Sequence, residues 1–344
     1  VPIHRREVDV RLERATLPEI KTLEEVRPMA RIAVLDDYQN VAFTMADWSR
    51  LKAGNDIVVF DRPFANQNDV ATALAGFDAV CLMRERTAMP RTVLEQLPSL
   101  KLLVTTGMRN ASVDMKACAD RGITVCGTEG GSHATAELAM GLILGLARNF
   151  QIEITNMREG RWQTTVGQDL RGKTLGILGL GKLGGQLAHY AKAFGMNVVA
   201  WSQNLTVEKA AEKGVRRVEK DELFQSSDFI SIHLVLSDRS RGLVGSRELE
   251  LMKPTASIVN TSRGPIIDGA ALLAALQMGR IAGAGLDVYD VEPLPVADGL
   301  RSEPRALLTP HLGYVTRETY KLFFSGTVEA IEGWLAGKPV RVIS

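Results

Sequence analysis

Residues 174–195, TLGILGLGKLGGQLAHYAKAFG, decide how the rest of the chain reads. The apolar run TLGIL leads into Gly179, Gly181 and Gly184 at G-x-G-x-x-G spacing, and an amphipathic helix pattern starts directly behind them. The first glycine permits a tight strand-to-helix turn, the second lets a pyrophosphate approach the backbone, and the third lets helix and strand pack closely. The helix start, with Lys182 and Leu183 in its first turn, offers unpaired N–H groups to the phosphates. A further apolar strand, MNVVAWS at 196–202, follows at the right distance, so the motif predicts a dinucleotide site rather than an empty turn. At the end of that strand an acidic residue usually binds the ribose 2′-hydroxyl of NAD, but this chain has Trp201, Ser202, Gln203 and Asn204 there. No carboxylate repels a 2′-phosphate and no arginine among the four holds one. Both NAD and NADP are therefore admissible, NAD being the first expectation, with Ser202 and Gln203 as ribose contacts and Lys209 or Arg216 as cations that could fold in.

Outward from this motif the chain keeps a βαβ rhythm. From Lys173 onward the short apolar runs TLGILG, MNVVAWS, VRRV, DFISIHLV, ASIVNTS, AGAGLDVY and ALLTPH alternate with helix patterns and predict one parallel sheet. Between Arg31 and Val125 the runs RIAVLDD, DIVVFD, DAVCLM, KLLVTT and ITVC predict another. Ser132 to Arg158 reads as a long helix joining the two, with Ser132 as N-cap and Gly160 near its end. Arg317 to Leu335 is again helical and is expected to cross back to the first sheet. The expectation is thus an α/β protein with a nucleotide-binding domain at 132–314 and a second domain at 29–131 plus about 315–344.

A length of 344 residues suits two domains, each large enough to bury a core. Apolar residues make up 45% and charged residues 24%, which excludes a disordered or fibrous chain. A net charge of +1 supplies no broad basic field for nucleic acid or an anionic membrane, so any anion must be held locally. Cys81, Cys118 and Cys126 lack CxxC spacing, which argues for a reducing compartment, the cytoplasm, and against a disulfide scaffold or a metal site. The apolar stretch Leu138 to Ala147 is bounded by Glu137 and Arg148 and is about half the length that spans a bilayer. Residues 1–28 are charged and lack the apolar core of an export signal; they read as an extension outside the fold, with Met29 as the natural start.

Three polar groups stand where later strands should end beside the nucleotide: Arg263 in VNTSRGPIID, Glu292 in LDVYDVEPLP and His311 in LTPHLG. Singly, each reads as a surface charge or a bystander. Together they supply what oxidation of a hydroxy acid needs. An imidazole titrating near neutrality exchanges the hydroxyl proton, a carboxylate fixes its tautomer, and a planar guanidinium grips a substrate carboxylate through two parallel hydrogen bonds.

From about residue 30 to 340 the sequence closely resembles the D-isomer-specific 2-hydroxyacid dehydrogenases, which include phosphoglycerate dehydrogenase and glyoxylate and hydroxypyruvate reductases. The resemblance rests on GLGKLG, SIHLVLSDRSRGLVG, LMKPTASIVNTSRGPIIDGAALLAAL, AGAGLDVYDVEPLP and TPHLGY, in that order. It implies two Rossmann-like domains, one flavodoxin-like and one NAD-binding, with the active site in the cleft between them. It implies that Arg263 binds the substrate carboxylate, His311 exchanges the proton and Glu292 pairs with that histidine. Asp287 would hold the nicotinamide carboxamide, and Thr135, His233, Thr261 and Gly313 would line the cofactor cleft. MRERT at 83–87 resembles the family's substrate loop and places two cations, Arg84 and Arg86, where a phosphate-bearing acid such as 3-phosphoglycerate would be held. TTGMRNASVD at 105–114 matches a glycine-rich loop that helps bind the substrate carboxylate, with Met108 and Arg109 at the binding positions. Arg109 replaces a glycine, and EGGSHATAE is one residue shorter than the usual loop. The implied activity is NAD(P)-dependent hydride transfer to or from a small 2-oxo or D-2-hydroxy acid, in a homodimer. Glyoxylate or hydroxypyruvate reduction is one alternative; a nucleotide-sensing corepressor of the same fold is another, disfavoured because no appended interaction segment is visible beyond residues 1–28.

Overall fold

The computed structural model describes residues 29–131 and 133–343; the expectations for residues 1–28 and for Ser132 as an N-cap lie outside the described residues. Strands β1 (Arg31–Val34), β2 (Asp56–Val59), β3 (Ala79–Leu82), β4 (Leu102–Thr105) and β5 (Thr124–Gly127) form one parallel sheet in the order β2-β1-β3-β4-β5. Strands β6 (Thr174–Leu178), β7 (Asn197–Trp201), β8 (Arg216–Arg217), β9 (Phe229–Ile232), β10 (Ser257–Asn260), β11 (Gly283–Leu286) and β12 (Ala306–Leu308) form a second in the order β12-β11-β10-β9-β6-β7-β8. All pairings in both sheets are parallel. Helices must then cover both faces, which is why the central strands AVCL, LLVT, FISI and SIVN are buried along their whole length and do not alternate.

In each sheet the strand order reverses once, between β1 and β3 and between β6 and β9. Ligands of open parallel sheets bind in the crevice outside the carboxyl ends of the strands at such a point. Gly179 follows β6, His233 follows β9, Asp36 lies just beyond β1 and Arg84 just beyond β3. Candidate cofactor and substrate residues thus flank both switch points, while Arg263, Asp287 and His311 follow the neighbouring strands β10, β11 and β12.

The single long helix expected from Ser132 to Arg158 is instead two, Ala134–Ala147 and Phe150–Arg158. Asn149 breaks it by taking a left-handed conformation, φ 53°, which asparagine tolerates better than most residues. The first of these helices seats Leu142 and Leu146 on β11, where a Cβ on Gly283 or Gly285 would sit 3.1–3.2 Å from their side chains. Glycine at those two positions lets helix and sheet close on each other. The last helix, Arg317–Leu335, begins at Thr316, whose hydroxyl caps the Thr319 amide. Its buried face, Tyr320, Phe323, Phe324, Val328 and Ile331, packs with Ile32, Val34, Leu102 and Val104 of the first sheet.

Candidate active site

The nucleotide motif is built by three different constraints. Gly179 has φ +100°, and a Cβ there would lie 2.6 Å from the His233 carbonyl oxygen. A Cβ on Gly184 would lie 2.2 Å from the Gly179 oxygen, so only glycine lets the helix Lys182–Ala193 approach β6 this closely. Around Gly181, by contrast, a Cβ would meet nothing within 4 Å. That open approach leads to the helix N-terminus, which carries no side-chain cap and no acidic residue in its first turn. Lys182 is exposed there and Leu183 is half-buried.

Two buried polar atoms beside this crevice have no hydrogen-bond partner among the described residues: His233 Nδ1 and Thr261 Oγ1. A buried orphan costs about 1–3 kcal/mol unless something satisfies it, and both point to a bound polar group. The other nitrogen of His233 lies 2.9 Å from Ser231 Oγ. Burial pushes the His233 imidazole down to about 4, so it is neutral at physiological pH. A neutral ring suits a site that also receives an amide or a ribose. These residues fit a dinucleotide. At the ribose position Ser202 is half-buried while Gln203 and Asn204 are exposed. Of the nearby cations, Arg216 is paired with Glu222 at 2.7 Å and Arg217 with Glu219 at 2.6 Å.

His311 occupies the loop after β12 with φ 54°, an uncommon conformation for a non-glycine residue. Asp287 at the end of β11 holds that loop in place. Its buried carboxylate accepts hydrogen bonds from Thr309 Oγ1 at 2.6 Å, the Leu312 amide at 2.7 Å and the Gly313 amide at 2.8 Å. Burial still pushes the Asp287 carboxyl above its ordinary range, against those three bonds. One lone pair on Oδ2 remains beyond these bonds. Thr135 Oγ1 donates to the Gly313 oxygen at 2.8 Å and ties the same loop to the linking helix.

The His311 Nδ1 lies 2.6 Å from Glu292 Oε2, and the Tyr289 amide donates to Glu292 Oε1 at 2.9 Å. Burial raises the Glu292 carboxyl, but the hydrogen bond and charge of His311, the Tyr289 amide and the charge of Arg263 outweigh it and hold the group below the ordinary range. It is an anion whose two oxygens are both fixed, and it orients the imidazole with Nε2 left to face a reactant. Arg263 donates from Nη1 to the Ser262 oxygen at 2.7 Å and from Nη2 to Glu85 Oε2 at 2.8 Å. The latter contact joins the loop after β10 to the loop after β3.

In the 83–87 loop the two arginines expected to hold a phosphate-bearing acid both make hydrogen bonds within the chain. Arg84 donates from its backbone amide to Thr106 Oγ1 and from Nη1 to the Thr106 oxygen, each at 2.8 Å. A Cβ on Gly107 would lie 2.1 Å from that guanidinium. Arg86 donates to the Asp36 oxygen at 2.8 Å, and its guanidinium stands 4.4 Å from the Tyr38 ring and 5.4 Å from the Tyr314 ring. Each guanidinium thus spends a donor on a backbone oxygen of the chain, which fixes its position. Met108 is exposed, and Arg109 is exposed with no ion pair among the described residues, so nothing joins it to Arg263.

Residues that pattern reading left without a role also converge here. Asp36, buried at the end of β1 with φ 61°, accepts from Thr87 Oγ1 at 2.8 Å, and burial pushes its carboxyl upward. Tyr314 packs edge-on to His311, ring centres 5.5 Å apart, and its hydroxyl is buried without a partner among the described residues. The signal available for Asp36 and Tyr38 was their place in the turn after the first strand; for Tyr314 it was adjacency to the histidine loop.

Residues 140–313 match the family model described as D-isomer specific 2-hydroxyacid dehydrogenase, NAD binding domain. A 4-methyl-2-oxopentanoate reductase A of Aspergillus oryzae is 39% identical over 254 residues, which is 71% of this chain and 77% of that protein. A D-3-phosphoglycerate dehydrogenase of Methanocaldococcus jannaschii is 36% identical over 75% of this chain but only 50% of its own length. The crystal structure of a phosphoglycerate oxidoreductase from Vibrio cholerae superposes with a TM-score of 0.84 at 36% identity, covering 90% of this chain and all of that one. With a glycine-rich nucleotide turn on one switch point and an arginine and a glutamate-bound histidine beyond the carboxyl ends of further strands of the same sheet, the chain belongs to the D-isomer-specific 2-hydroxyacid dehydrogenases, NAD(P)-dependent oxidoreductases acting on the CH–OH group of 2-hydroxy acids.

Proposed function

We propose that His311, Glu292 and Arg263 carry the reaction on a small 2-oxo or D-2-hydroxy acid, with residues 29–131 and about 315–344 forming the substrate domain and 132–314 the nucleotide domain. The observation that carries this reading is the 2.6 Å contact between His311 Nδ1 and Glu292 Oε2, with Arg263 close enough for its charge to act on the same carboxylate. Bound nicotinamide supplies the hydride. Arg263 holds the substrate carboxylate through its planar fork and draws charge from the adjacent carbonyl. His311, its Nδ1 proton kept by Glu292, gives a proton from Nε2 to the carbonyl oxygen in reduction and takes it back in oxidation, worth about 10² to 10⁴ in rate. Asp287 and Thr135 fix the loop that sets where Nε2 sits, and Asp287 retains an acceptor for an amide of the cofactor.

The cofactor we assign is NAD, because Arg216 and Arg217 are held by Glu222 and Glu219 and so are not free for a 2′-phosphate. The chain is proposed to work as a homodimer, an inference supported by exposed apolar side chains on one stretch: Phe150, Ile154, Met157, Trp162 and Val166. Cytoplasmic residence is supported by three buried free thiols, Cys81, Cys118 and Cys126. Steady-state turnover with NADH and with NADPH against glyoxylate, hydroxypyruvate and 4-methyl-2-oxopentanoate tests the assignment. Oxidation of NADH by at least one of these acids, faster than of NADPH, is expected. Binding of nucleotide with no turnover of any of them would overturn it.

A further inference from the structure

We propose that Glu85 sets the substrate class: it admits 2-oxo acids whose carboxylate is their only charge and turns away those bearing a second anionic group. The proposal rests on the dehydrogenase reading above and goes beyond it. A phosphate-binding pocket needs cations with free donors. Here each arginine of the 83–87 loop is pinned by one donor, Arg84 on the Thr106 oxygen and Arg86 on the Asp36 oxygen beside the Tyr38 and Tyr314 rings, which fixes both guanidinium groups in place. Between them the loop presents a carboxylate. Glu85 Oε2 lies 2.8 Å from Arg263 Nη2 and 4.0 Å from Arg84 Nη2, and only 22% of its side chain is exposed.

A guanidinium has five N–H donors, and Arg263 uses one on Ser262 and one on Glu85. Enough donors remain for one carboxylate to bind beside Glu85. The fork is therefore held for a first anion, while the charge it shows to a second is already offset. A phosphate on the same substrate would meet the Glu85 carboxylate first, beside Arg84 and Arg86 guanidinium groups already held on the Thr106 and Asp36 oxygens rather than turned toward it, which is selectivity through repulsion. Beside His311 the wall is aromatic, Tyr314 with Tyr320 and Phe323 behind it at 6.5 and 6.1 Å, and such a wall suits an uncharged substituent.

The test compares hydroxypyruvate with 3-phosphohydroxypyruvate, which differ only by the phosphate, on the same preparations of wild type, Glu85→Gln and Glu85→Ser. Reading both acids on one preparation cancels any loss of folded protein from the ratio. Wild type is expected to favour hydroxypyruvate in kcat/KM by about 100-fold or more. In both variants that preference falls by about tenfold or more, through a lower KM for the phosphorylated acid, as removal of a repelling charge requires. Equal use of the two acids by wild type, or an unchanged ratio in both variants, overturns the role of Glu85 and leaves the dehydrogenase reading standing. Failure of wild type to reduce any 2-oxo acid overturns both.

Discussion

Glu292→Gln isolates the contribution of one charge. The substitution keeps side-chain length and an oxygen that can accept from the Tyr289 amide, but it removes the anion 2.6 Å from His311 Nδ1. A hydrogen bond to a charged group contributes about 1.5–3 kcal/mol and a neutral one about 0.5–1.5 kcal/mol, so the difference is about 1–2 kcal/mol. The lower end applies because the Glu292 side chain is 33% exposed. At about 1.36 kcal/mol per factor of ten in rate, the lower end is roughly a fivefold fall in turnover. The sign follows from what the anion does in the site: it keeps the Nδ1 proton, holds Nε2 toward the reactant and offsets the positive charge of the proton donor, so its loss slows reduction. Initial rates of NADH oxidation at saturating glyoxylate, taken side by side on both proteins at one pH, measure the fall directly. A folded variant whose turnover falls by less than about twofold would refute the reasoning, because the carboxylate would then not be sensed by the group that gives up the proton.

Three further outcomes follow from other parts of the site. His311→Ala is expected to leave dinucleotide affinity within about twofold while kcat drops about 10²- to 10⁴-fold, checked by fluorescence titration and turnover on one preparation. Thr261→Val keeps the side-chain shape and removes a buried hydroxyl that has no partner among the described residues; the dissociation constant for NADH should rise about five- to tenfold while the melting temperature of the nucleotide-free protein does not fall. A double substitution, Met157→Glu with Trp162→Glu, places charge on side chains that are 61% and 72% exposed; sedimentation equilibrium should then show monomer where the unaltered chain gives dimer, and a dimer of undiminished stability would argue against this surface.

The nucleotide turn was legible because every constraint on it is local. Gly179, Gly181 and Gly184 lie within six residues, and strand, turn and helix each write their own pattern around them. The strands were legible for a related reason: burial on both faces forces continuous apolar runs. Asn149 was not, since helical periodicity on both sides conceals a single residue whose backbone changes hand. Arg84, Glu85 and Arg86 look like a solvated string because their partners are distant in sequence. Glu85 meets Arg263 178 residues away, and Arg86 reaches back 50 residues to Asp36. Asp287 shows the same limit, for its place at a strand end could be read, but the three donors it gathers lie 22 to 26 residues downstream.

The return of the helix Arg317–Leu335 to the first sheet has a consequence during synthesis. The face of that sheet formed by Ile32, Val34, Leu102 and Val104 is complete by the time β5 leaves the ribosome, yet its cover, Phe323, Phe324 and Ile331, is translated roughly 200 residues later. At about 5–20 residues per second the nascent chain carries an uncovered apolar surface for roughly 10 to 40 s. The intervening residues can meanwhile fold as a unit around their own sheet, whose core clusters are drawn entirely from residues 139–306. Truncation just before Thr316 would therefore yield a chain with one finished half and one sticky half, and chaperone dependence in the cell should be set by the interval between them.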